Sequence, residues 1–92
     1  MINTLNTLFK EQLKYGINEE DDLKVYIQEG IYYLEKLTGT TLNFEENLFA
    51  RTLLRDYVRY SINNANEYFE VNFQSEILRL QFLEAVKVRA DE

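Results

Sequence analysis

The chain has 92 residues, a formal charge of −6, and no cysteine, histidine, proline or tryptophan. That length suits one core, and 46% hydrophobic with 28% charged residues describes a globular chain rather than a disordered one. Three glycines without a proline exclude a turn-rich β-sandwich and favour long helices, so the expectation is a single all-α domain over residues 1–92, a bundle of about four helices.

The first helix is expected over about residues 4 to 15, where Leu5, Leu8, Phe9 and Leu13 recur at helical spacing, Asn3 or Thr4 can cap the start and Gly16 can close the end. Asn18 can cap a second helix over about 19 to 38. Its first turn, Glu19 to Asp22, carries four acids that complement the positive end of the helix dipole. Leu23, Tyr26, Ile27, Gly30, Ile31, Leu34 and Leu37 share its inner face, and Thr38-Gly39 ends it. Gly30 inside this helix predicts a close approach by a neighbouring helix.

Asn43 and Glu46 form an N-x-x-E capping box, which places a third helix over about 44 to 66. Leu54, Tyr57, Val58, Ser61, Ile62 and Ala65 are its stripe, widened by Phe49, Leu53 and Tyr60. Such a wide apolar arc predicts a long, central helix 3 between two others, fraying at Asn63, Asn64 and Asn66. From Phe73 to Val88 the apolar residues point in every direction on a helical wheel. Alternation in Leu78-Arg79-Leu80-Gln81-Phe82 also suits a strand, but the helix formers favour a helix over about 73 to 86, available for assembly.

Catalytic chemistry has little to draw on. Neither His, the commonest general base, nor Cys, the best thiol nucleophile, is present, and Ser61 and Ser75 sit in no G-x-S-x-G elbow, so no catalytic residue, cofactor or metal site is expected. The acids Glu19, Glu20, Asp21 and Asp22 lack the spacing of a calcium loop. Sixteen acids against ten bases disfavour a phosphate-tracking surface. No apolar run approaches the roughly 18 residues of a membrane span and no leader-like segment opens the chain, so the expectation is a soluble intracellular protein with no membrane partner.

Association is the better-supported activity. Arg51, Arg55 and Arg59 recur at i, i+4 and i+8 along one flank of the third helix, with Asp56 read as lying on another face. Two readings stand: solvated arginines whose stems cover the core edge, or a basic row that meets the acids of another copy. Val25 and Tyr32 stack on the wet face of the second helix, and Leu78 and Phe82 lie on a fourth helix with no polar side. These residues are the subunit-interface candidates.

Asp21-Asp22-Leu23 leading to Tyr26-Ile27, Leu34 and then Leu37-Thr38-Gly39 resembles the opening helix signature of the phage head-to-tail connector family, also called head-completion or adaptor proteins. Phe49-Ala50, Leu53-Leu54 and Tyr57 look like that family's long helix, and Ile77 to Leu83 like its last. The resemblance implies a structural virion protein, a helical subunit that forms a ring, typically dodecameric, beneath the portal protein. Such a ring extends the DNA channel and docks the next neck or tail-completion component, with DNA passing through but not bound specifically. It implies residence in the neck of a tailed phage after a period in the host cytoplasm. The rival reading is a small acidic helical regulatory module that occupies a basic site on a protein partner and needs no self-association.

Overall fold

The computed structural model describes residues 1–13 and 20–90. They form α1 (Ile2–Leu13), α2 (Glu20–Thr38), α3 (Leu48–Ile62), a 3₁₀ turn (Asn66–Tyr68), α4 (Phe69–Asn72) and α5 (Gln74–Ala90), with no strand among the described residues. The all-helical expectation holds. The count is five rather than four, because the last helical stretch is preceded by a short 3₁₀ turn and a single α-turn.

α1 begins two residues ahead of its expected start. The Met1 carbonyl accepts the Leu5 amide at 3.0 Å, so the helix starts without a side-chain cap at Asn3 or Thr4. The Gly16 stop and the Asn18 cap lie outside the described residues. α2 ends where expected: Gly39, at φ 72°, donates its amide to the Glu35 carbonyl at 2.8 Å, a left-handed closing residue that only glycine adopts without strain.

The capping box acts one step away from the helix it was expected to open. Asn43 Oδ1 accepts the Glu45 and Glu46 amides at 3.1 and 3.3 Å, but this closes a turn. The helix cap is Asn47, whose Oδ1 accepts the Ala50 amide at 3.0 Å. Two asparagines four residues apart both offer an acceptor, and the second starts the helix. At the other end α3 stops at Ile62, because Asn64 takes φ 54° and Asn63 Nδ2 binds the Arg59 carbonyl at 2.8 Å. Shortened at both ends, α3 yields the central position to α2, which is longer at 19 residues and packs against α1, α3 and α5.

The core runs along that hub. Leu23, Ile27 and Leu34 of α2 share one buried cluster with Leu54 and Val58 of α3, Phe9 of α1 and Phe44 of the connecting loop. Each such side chain contributes about 1.5–3 kcal/mol by leaving water. A Cβ built on Gly30 would lie 2.5 Å from Leu54 Cδ1 and 2.8 Å from Tyr57 Cδ1, so the close approach read from the sequence is present. A second layer is aromatic. Phe69 meets the rings of Tyr33, Tyr57 and Tyr60 edge-on at 5.3 to 6.0 Å and stacks on Phe73 at 4.8 Å, pinning α4 against α2 and α3.

Candidate functional site

α5 is held by one narrow face. Ile77 and Leu80 enter the core, Gln81 Nε2 donates to the Leu37 carbonyl at 2.9 Å, and Glu84, 3% exposed, accepts the Thr40 hydroxyl at 2.9 Å. The second Glu84 oxygen lies 3.6 Å from Lys87 Nζ. A carboxylate thus occupies an inward position, while apolar side chains occupy the opposite side. Leu78 is 59% and Phe82 66% exposed, and Val86 continues the row one turn later. The helix without a polar side is therefore a helix with an apolar face toward solvent.

The sequence picked out Leu78 and Phe82 but not every exposed apolar side chain of the C-terminal segment. Val71 on α4 is 74% exposed as well, but Phe73, at φ −114° and ψ 24°, separates it from the α5 row. The expected helices end at about 66 and resume at about 73, so Val71 falls between them and is not singled out. Leu48, at the start of α3, is a further exposed apolar side chain; nearby, Phe49, Arg79 and Leu83 line an open depression of about 630 Å³.

The arginine row is present on α3 but is not a bare basic stripe. Asp56 lies 3.3 Å from Arg59 and 3.9 Å from Arg55, so the expectation that it sits on a separate face and leaves the row unneutralised is corrected. The i,i+3 spacing and the reach of the arginine side chains bring these groups together. Arg51 instead donates to the Glu45 carbonyl at 3.3 Å, and the Arg59 guanidinium lies 5.2 Å from the Tyr60 ring centre. Exposed pairs of this kind contribute about 0–1 kcal/mol each. Much of the row therefore serves local structure, and the outward part of the charge is what remains for a partner.

Val25 and Tyr32 are exposed as read, Tyr32 to 67%, with Lys36 Nζ 5.8 Å from its ring centre. Glu19 lies outside the described residues, and of Glu20, Asp21 and Asp22 only the helical backbone is described. Beside Tyr32 runs an open groove of about 550 Å³ lined by Gln28, Glu29, Tyr33, Lys36 and Tyr57. Its two inner tyrosines stack at 5.1 Å. Burial, followed by the hydrogen bond and charge of Glu70, holds the Tyr33 hydroxyl above the ordinary tyrosine range. Burial and then the Glu29 charge raise Tyr57, with hydrogen bonds from Asn66 and Ser61 working against them. Both phenols stay neutral and serve as aromatic wall.

Among the described residues no group of three or more acids is placed to hold a metal ion, and no helix is long and apolar enough to cross a membrane. Comparison with known protein families, with curated proteins and with solved structures finds no match to this chain.

Proposed function

We propose that the chain is a non-enzymatic structural subunit of a tailed-phage neck: a head-to-tail connector that assembles as a ring under the portal, lengthens the DNA channel and presents a surface to the next tail component. The observation that carries the assembly part is the outward apolar row of Leu78, Phe82 and Val86 on α5. Exposed side chains of this size along one helix face are what a lone domain avoids and an assembling subunit uses. The neck assignment rests on the order of motifs from Asp21-Asp22-Leu23 through Thr38-Gly39 to Ile77–Leu83, and the all-helical fold is compatible with it, although α3 at 15 residues is shorter than α2 at 19.

In this reading the row on α5, with Val25 and Tyr32 on α2, meets neighbouring subunits or the portal. The arginines Arg51, Arg55 and Arg59 and the acids Glu19 to Asp22 set the register between copies. The test is to mix purified chain with the portal protein encoded beside it and image the product by electron microscopy. Rings stacked coaxially on portals support the reading, and their loss in an Arg51→Glu/Arg55→Glu/Arg59→Glu variant that keeps its helical content supports the electrostatic part. A gene neighbourhood without portal, capsid or tail genes, or a chain that never joins the portal, sinks it.

A further inference from the structure

The groove beside Tyr32 combines aromatic rings with carboxylates. Tyr33 and Tyr57 stack at 5.1 Å with their planes 25° apart, and each meets Phe69 edge-on, at 6.0 and 5.3 Å. Glu70 adds a hydrogen bond from the Tyr33 hydroxyl at 2.9 Å. These contacts hold the two inner rings in place, while Tyr32 at the rim is 67% exposed. A ring face is the negative part of an aromatic quadrupole and attracts a cation laid over it. The chain already uses its rings in this way. Lys36 Nζ lies 5.8 Å from the centre of Tyr32, and the Arg59 and Arg79 guanidinium groups lie 5.2 and 5.9 Å from the centres of Tyr60 and Phe49.

Charge favours the same class of guest. Among the described residues, the charged groups that line the groove or act on its tyrosines are Glu29, Glu70 and Lys36, two acids and one base. Glu29 is exposed, and no base of the described residues lies within ion-pair distance of it. Its charge reaches the Tyr57 hydroxyl, where it opposes ionisation, so a carboxylate stands beside an aromatic ring. That combination suits a guanidinium better than an ammonium. The planar group lies on a ring face while its fork of N–H donors reaches a carboxylate at the edge. The groove is open to solvent along α2, so it admits a side chain carried on another polypeptide.

We propose that the groove formed by α2 and Tyr57 of α3 binds an arginine side chain presented by a partner protein, with the guanidinium on the tyrosine wall and its N–H donors on the Glu29 carboxylate. Lys36 holds the Tyr32 face in the free chain and competes with the incoming cation. Glu70 stays on the Tyr33 hydroxyl and adds negative charge behind the wall. The inference does not rest on the neck reading, because it needs neither a ring nor a portal.

The test is a titration of the full ¹⁵N-labelled chain with the peptide acetyl-Gly-Arg-Gly-amide at low salt, followed by amide chemical shifts. Peptides with Lys or Glu in place of Arg are the comparisons. The arginine peptide is expected to move the amides of residues 28–36 and 57 with a dissociation constant of about 1–10 mM. The lysine peptide binds several-fold more weakly, and the glutamate peptide leaves these amides unmoved. Glu29→Gln weakens arginine binding by about 5–10-fold, and Tyr32→Ala also weakens it, both with unchanged helical circular dichroism. Lys36→Gln tightens it by about 2–5-fold, since a competing cation is removed. No movement at residues 28–36 up to about 20 mM arginine peptide overturns the proposal. So do shifts equally large around Glu45 and Glu46, which would mark attraction to the acidic surface at large. Weaker binding by Lys36→Gln, or a response to the glutamate peptide, would make the groove an anion site and overturn it as well. No portal enters this assay, so its failure leaves the neck reading untouched.

Discussion

Tyr33 on α2 donates its hydroxyl hydrogen to Glu70 on α4 at 2.9 Å, a bond spanning 37 positions of sequence. Together with the stack on Tyr57 and the edge contact on Phe69, it fastens α4 to the hub helix. The neutral phenol is the form the fold favours, so the native value lies above the unfolded value near 10. This contribution is fully present below about pH 10 and is lost as pH rises through the native value. Tyr33→Phe keeps the stack and loses the bond, costing about 0.5–1.5 kcal/mol in urea denaturation at pH 8. The variant also loses part of the wild type's decline in stability above about pH 10. Equal alkaline slopes for the two proteins would show that the bond is not formed.

Gly30 predicts an opposing pair of effects. Alanine gains about 1 kcal/mol of intrinsic helix propensity. Its methyl group, however, must displace both Leu54 Cδ1 and the Tyr57 ring. Overpacking of this kind costs about 1–3 kcal/mol. The expected net result for Gly30→Ala is destabilisation, read as a lower urea midpoint at unchanged slope. A raised midpoint would mean that α2 and α3 separate without penalty.

Asn47 and Asn43 differ in what their side chains close. Asn47→Ala removes the cap of α3 and is expected to cost about 1 kcal/mol. Asn43→Ala opens an exposed turn and costs less. Thermal melts of the two single variants test the order, and a larger loss at Asn43 would move the start of α3 back to the expected capping box.

Glu84 is the only charged side chain buried among the described residues, and it ties α5 to the loop after α2 through Thr40. Glu84→Ala leaves the Thr40 hydroxyl without that acceptor and a space beside it, for an expected loss of about 1–3 kcal/mol. Glu84→Gln keeps one acceptor oxygen and is expected to lose less. Amide hydrogen exchange along residues 74–84 measures the loosening directly; no change in either variant would deny the tether.

The helices of the first half are legible because each has one apolar face, and α2 also has a chemical stop at Gly39. The start of α3 was displaced because Asn43 and Asn47 satisfy the same requirement and sequence spacing does not rank them. The hub was misplaced on α3 since breadth of an apolar arc counts residues, whereas packing depends on how much helix survives between its ends. On α5 the wheel was full because two apolar faces, one toward the core and one toward solvent, overlap in projection. Only the tertiary contacts of Ile77, Leu80 and Glu84 separate them. Asp56 was set apart from the arginines by angle alone, while long guanidinium side chains close that angle.

Beyond Glu84 no described side chain of α5 is buried. Residues 85–90 therefore run about 9 Å past the last buried position of the helix, within overall extents of 46 × 27 × 17 Å. Apart from the Lys87–Glu84 ion pair, these turns have only their own hydrogen bonds to keep them wound, so they are expected to open more often than the anchored stretch. A protease that needs unwound backbone is expected to cut within residues 85–90 before it cuts within 74–84, and anything that grips the outer stretch would slow that cut.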